Sequence, residues 1–117
     1  MSQVKIKRQF RVVTATVTTA TSTCTTLRLE DMAGAVVELP TITTNAATIQ
    51  VWGNDTDTGS FCRLYATDGS AADITLAPST VNRTAYALPD AAYALPYVKL
   101  VAASTNATAT VVVVMKS

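Results

Sequence analysis

Histidine is absent from the 117 residues, and cysteine occurs only twice, at Cys24 and Cys62. Catalysis by a nucleophile and a base commonly uses a His, an activated Lys or paired carboxylates in a cleft, and the acidic residues of this chain are scattered. Two Cys without any His also cannot complete the tetrahedral ligand set of a zinc site. We therefore expect no enzymatic activity, no cofactor and no bound metal.

Long apolar runs are lacking as well. The longest, VVVVM at Val111–Met115, is far shorter than the roughly 20 residues of a membrane helix. The opening MSQVKIKRQF has no apolar segment of the kind that a signal peptide needs, so we expect the protein to stay in the cytoplasm where it is made. In that reducing compartment the two Cys are more often small buried hydrophobes than a disulfide.

The charge balance is nearly neutral, with nine basic and eight acidic side chains, and it predicts neither nucleic acid nor membrane as a partner. The basic residues are nonetheless uneven, because Lys5, Lys7, Arg8 and Arg11 crowd the N-terminus. They form either a solvated arm that keeps an exposed end soluble or an arm that docks on an acidic surface. We divide the chain into a basic arm, residues 1–10, and one folded domain, residues 11–117.

The composition of the folded part favours β-structure, because Thr and Val dominate and their branched side chains suit a pleated sheet. Apolar and polar residues alternate in FRVVTATVTT (Phe10–Thr19), where Val13, Ala15 and Val17 share one face. The same period places Leu27 with Leu29 and Ile49 with Val51. Turn signals every 8 to 12 residues predict an all-β fold, a single-domain antiparallel β-sandwich or jelly roll of about eight or nine short strands. With aromatics at only 6%, its core must be aliphatic.

The phrase AYALP occurs twice, at 85–89 and 92–96. A helical heptad is excluded because Pro89 and Pro96 would each end the helix within a turn of its start. We expect the first copy to end a strand with Leu88 inward. The second should form a loop in which Tyr93 and Leu95 close the edge of the core.

The segment GNDTDTGS carries oxygen-bearing side chains at Asn54, Asp55 and Asp57. It lacks the later Glu of a calcium loop, which favours a turn with Asx hydrogen bonds over a cation site. Trp52, just before this loop, either packs at the rim of the sheet or offers a platform for a sugar ring.

One family resemblance rests on the order of these elements. The chain runs through Leu39-Pro40, the phrase from Ile49 to Tyr65, Asp68-Gly69, Leu88-Pro89, an aromatic loop residue at Tyr93, the strand Tyr97–Leu100 and the Val-rich strand Val111–Met115. In this order the sequence resembles the small jelly-roll proteins that decorate or cement the heads of tailed bacteriophages.

The resemblance implies a virion protein on the outer capsid surface, made in the host cytoplasm, whose partner is the major capsid protein and which forms a homo-oligomer, commonly a trimer. Under this hypothesis the docking residues are Lys5, Lys7, Arg8, Phe10 and Arg11. The sandwich is also similar to carbohydrate-binding modules. In that alternative, a sugar- or receptor-binding component of a phage tail or fibre, the ligand would lie on Trp52, Asn54, Asp55, Asp57 and Tyr93.

Overall fold

The computed structural model describes residues 9–39, 48–76, 84–104 and 109–117. These ranges contain two 3₁₀ turns, Thr21–Thr23 and Asp90–Ala94, and no α-helix. They contain nine strands: β1 (Phe10–Val17), β2 (Thr26–Arg28), β3 (Gly34–Leu39), β4 (Thr48–Asn54), β5 (Cys62–Arg63), β6 (Ile74–Thr75), β7 (Thr84–Ala87), β8 (Tyr97–Ala102) and β9 (Ala109–Lys116). The predicted all-β fold is confirmed, and the nine strands of the described ranges agree with the predicted eight or nine.

The strands pair in a nested order. β1 pairs with β9, β2 with β8, β3 with β7, and β4 with both β5 and β6, all antiparallel. The first half of the chain thus folds back on the second half like one long hairpin. Two further pairings, β3 with β9 and β4 with β8, roll that hairpin into two sheets, which is the winding of a jelly roll.

The two sheets enclose an aliphatic core. Sheet A has the order β1-β9-β3-β7, and sheet B has the order β2-β8-β4-β5, with β6 also on β4. The largest fully buried side chains of the described ranges are Leu, Ile, Met and Val residues, as the low aromatic content predicts. Leu27, Leu29, Ile49 and Val51 are all buried, so the faces assigned from alternation are confirmed.

The edge of sheet B differs from the prediction. The sequence predicts one strand over Phe61–Ala66, yet β5 has only two residues because the chain leaves β4 after the bond from Leu64 N to Val51 O (2.9 Å). It then makes a small hairpin, in which Tyr65 pairs with Ala71, before β6 returns to the same edge of β4. Gly69 adopts φ 86° in its turn, as expected of an Asp-Gly pair.

The two AYALP copies do have different roles. The first lies in β7 and ends with Leu88 buried, whereas the second lies in the 3₁₀ turn Asp90–Ala94 and the bend that follows it. Tyr93 packs against the core cluster from this turn. The helical heptad is therefore excluded by the structure as well as by the prolines.

The ends of β1 and the exposure of the thiols differ slightly from the predictions. β1 begins at Phe10, one residue before the predicted domain boundary, and ends at Val17 rather than Thr19. Cys24 is buried as expected, but Cys62 is exposed because β5 lies at the open edge of sheet B. Both thiols are free. Pro40, expected to end β3, lies outside the described residues.

Two strand glycines give a matched test of the packing. A methyl group on Gly53 would lie 2.5 Å from Leu95 Cδ1, whereas one on Gly34 would meet no atom within 4 Å. We predict that Gly53→Ala lowers the free energy of unfolding by about 1–3 kcal/mol through overpacking. Gly34→Ala should change it by less than about 1 kcal/mol, in the stabilising direction. Denaturant titration of both variants checks this, and equal losses would contradict the close packing of Leu95 on β4.

Candidate docking surface

The outer face of sheet A carries a continuous apolar row. The registers align Val12 of β1 with Val114 of β9, Val114 with Val36 of β3, and Val36 with Ala87 of β7. Cross-strand partners project from the same side of a sheet. Since Val13, Val113 and Val37 project into the core, the row Val12–Val114–Val36–Ala87 projects outward. We call the outward residues of sheet A the outer A face.

The rows on either side extend this surface. Phe10, Lys116 and Gly34 form one row, and Thr14, Val112, Glu38 and Ala85 form the other. Phe10 is 72% exposed, Val12 55% and Val36 38%. Antiparallel sheets with one solvated face normally place polar residues on that face. An apolar outer face instead marks a surface for contact with another molecule.

A depression of about 480 Å³ lies within the outer A face. Its floor is apolar, with Val36, Ala87 and Val114 in its lining, while Lys116 and Asp90 supply charges. The depression owes part of its depth to Gly34, which has no side chain and whose Cβ direction is open. The surface can therefore receive a protruding apolar side chain between one basic and one acidic group.

The sequence-predicted docking residues divide between two places. Phe10 lies at the corner of the outer A face. Arg11 projects from the other side of β1, where its Nη1 donates to Arg28 O (2.9 Å) and its Nη2 lies 3.6 Å from Asp31 Oδ1. Its guanidinium therefore already has partners within the chain. Lys5, Lys7 and Arg8 lie outside the described residues.

The outer face of sheet B is polar by contrast, and it holds Trp52. The register sets Trp52 between Lys99 and Arg63. Each of the three has a partner within the chain: Trp52 Nε1 donates to Gln50 Oε1 (3.0 Å), Lys99 Nζ to Thr21 O (2.9 Å), and Arg63 Nη2 to Asp73 Oδ2 (2.7 Å). Lys99 also lies 4.7 Å from the ring centre of Phe61. These contacts hold the three side chains in place on the outer side of sheet B.

The predicted sugar site is not assembled as one cluster. Asn54 is committed to its own loop, since its Nδ2 donates to Thr58 O (3.0 Å) and Thr56 Oγ1 (3.2 Å), while Asp55 and Asp57 are exposed. Tyr93 instead packs against the core, and its hydroxyl donates to Ala35 O of sheet A (3.5 Å). Trp52 and Tyr93 therefore serve different surfaces.

Metal sites, membrane-spanning helices and similarity to known proteins were also considered. Among the described residues, no group of three or more His, Cys, Asp or Glu could hold a metal ion. In the same ranges, no helix has the length and apolar character to span a bilayer. Comparisons with protein-family models, curated proteins and solved structures find no match to this chain. The function therefore has to be inferred from the outer faces of the two sheets.

Sequence reasoning missed most of the outer A face. It treated β1 as a strand with one polar face, because Thr14 and Thr16 accompany Val12. The available signal was VVVVM, where four consecutive Val residues must place Val112 and Val114 on the side opposite Val111 and Val113. That pattern indicates a strand covered on both faces rather than one.

Tyr93 gives a test of the packing beside the depression. Burial raises the pKa of its phenol, and the negative charge of Asp90 acts in the same direction. The folded state therefore favours neutral Tyr93, and this stability is present below the ordinary pKa of about 10 and lost as pH rises through the raised folded value. We predict that Tyr93→Phe removes this alkaline loss. Unfolding free energies measured at neutral and alkaline pH check it, and identical pH dependence in both proteins would contradict it.

Proposed function

We propose that this protein decorates a bacteriophage head, where it binds the outer surface of the capsid and bridges neighbouring copies of the major capsid protein. The observation that carries the proposal is the apolar outer A face with its depression. A sheet whose outer row is Val12, Val114, Val36 and Ala87 has a driving force for burial against a protein surface. The resemblance in strand and turn order to phage decoration proteins supports the same function.

Affinity in such a role arises from repetition rather than from one deep pocket. A capsid presents many identical sites, so an oligomer of this chain can make several modest contacts at once. The apolar face supplies the buried area. Lys5, Lys7 and Arg8 extend from the same end of β1 in sequence and would pair with acidic residues of neighbouring subunits.

The test is co-sedimentation with expanded heads of the encoding phage, stripped of this protein. We predict saturation at a fixed ratio of bound copies to major capsid subunits. Val36→Lys should weaken binding at least about tenfold, because it would bury an unpaired charge in the interface. Tyr65→Lys is the matched control, since Tyr65 is also an exposed large hydrophobic residue but lies beside sheet B, and it should bind as the parent does.

Val36→Lys must retain the parent melting temperature, as expected for an outward-facing position. Tyr65→Lys must remain folded, although it removes the contact of Arg63 with the Tyr65 ring (5.5 Å to the ring centre). Equal binding by Val36→Lys and the parent would remove the outer A face from the proposal. Absence of binding to heads, together with saturable sugar binding that Trp52→Ala abolishes, would favour the carbohydrate-binding alternative on the outer face of sheet B.

A further inference from the structure

The lateral edges of the two sheets are unequal. Native sheets commonly protect their edges by keeping edge strands very short or by adding Pro, charges or bulges, because unpaired backbone groups recruit other strands. Three of the edges follow this rule, with β7 at four residues, β2 at three, and β5 and β6 at two each. β1 is an edge strand of eight residues.

The backbone groups on the free side of β1 can be assigned. Ser117 N donates to Gln9 O (2.8 Å), so Gln9 faces β9, and in an antiparallel ladder the direction alternates with each residue. Phe10, Val12, Thr14 and Thr16 therefore direct their N–H and C=O groups away from β9. Thr16 confirms the assignment, because its oxygen accepts from Thr25 N (3.1 Å) and its N–H donates to Thr25 Oγ1 (2.9 Å).

The contact with Thr25 covers only the C-terminal end of the β1 edge, at Thr16. In the described part of the chain, no hydrogen bond is found for the outward N–H and C=O groups of Phe10, Val12 and Thr14. The side chains of all three are exposed. The open segment Phe10–Thr14 contains no Gly or Pro, and its single charge, Arg11, turns toward Arg28 O and Asp31. The register of this segment with β9 also runs without a bulge, and we call the segment the open edge.

We propose that the open edge pairs with the open edge of a second copy, antiparallel about a two-fold axis at Val12, so that two A sheets join into one. In this register Val12 exchanges both backbone hydrogen bonds with the partner's Val12, and Phe10 does so with the partner's Thr14. Arg11 lies opposite the partner's Val13, so like charges do not face each other. Pairing about Arg11 instead would set two arginines opposite each other.

A second copy fits this edge better than a generic strand because the contact is isologous. In such a contact the same segment of both copies forms the interface. No open edge is then left to add a further copy, so association stops at the dimer. The pairing also extends the outer A face, because Phe10 and Val12 join the equivalent residues of the partner on one surface. It differs from the trimer that the family resemblance implies, and it does not depend on binding to a capsid.

The experiment measures amide hydrogen exchange of the whole chain together with its mass by sedimentation, across micromolar to millimolar concentrations. We expect a dimer. As the fraction of dimer rises with concentration, the amides of Phe10, Val12 and Thr14 should exchange at least about tenfold more slowly. Monomer at every concentration, a trimer, or a dimer in which these amides stay unprotected would overturn the proposal.

Two variants separate backbone pairing from side-chain contact. Val12→Pro removes an N–H that the β1–β9 ladder does not use, and proline is tolerated on the solvent side of an edge strand, so the fold should persist while the dimer is lost. Val12→Thr keeps the N–H and should still dimerise. Loss of the dimer on deleting Met1–Arg8, with Val12→Pro still dimeric, would assign the contact to the arm and overturn the proposal.

Discussion

The position of β9 is the constraint on which the rest of the structure depends. This last strand of the chain lies between β1 and β3 in the centre of sheet A, so sheet A cannot close until the final residues have reached the first ones. Its inward residues Val111, Val113 and Met115 are fully buried. Contacts so distant in sequence make folding slow and cooperative, and they fix the nested pairing from which both sheets follow.

The same strand determines what the outside of the sheet can do. Because β9 is apolar on both sides, Val112 and Val114 place aliphatic groups on the outer A face, and β1 and β3 add Val12 and Val36 on either side. Sheet B has the opposite character, since Lys99, Trp52 and Arg63 on its outer side are held by contacts within the chain. The long side chains on the outer side of sheet B thus have partners within the chain, whereas the outer A face is suited to contact with another protein.

The sequence was sufficient for the fold class but not for the surfaces. Alternation alone identified the inward faces at Leu27, Leu29, Ile49 and Val51, and an Asp-Gly pair located the turn at Gly69. The row from Val12 to Ala87 could not be predicted, because it depends on the register between strands about a hundred residues apart, which no local pattern encodes. Likewise Trp52 and Tyr93 looked like one site in sequence, although Trp52 lies on the outer side of sheet B and Tyr93 packs from a 3₁₀ turn toward sheet A.

The most direct test of the docking account is a cryo-electron microscopy reconstruction of decorated phage heads, at a resolution that orients the sandwich on the capsid. The account predicts that the outer A face, with Val36 and Val114, lies against the major capsid protein and that the face bearing Trp52 points away from it. A reconstruction in which the outer A face points to solvent, or in which Trp52 and its neighbours make the contact, would contradict it.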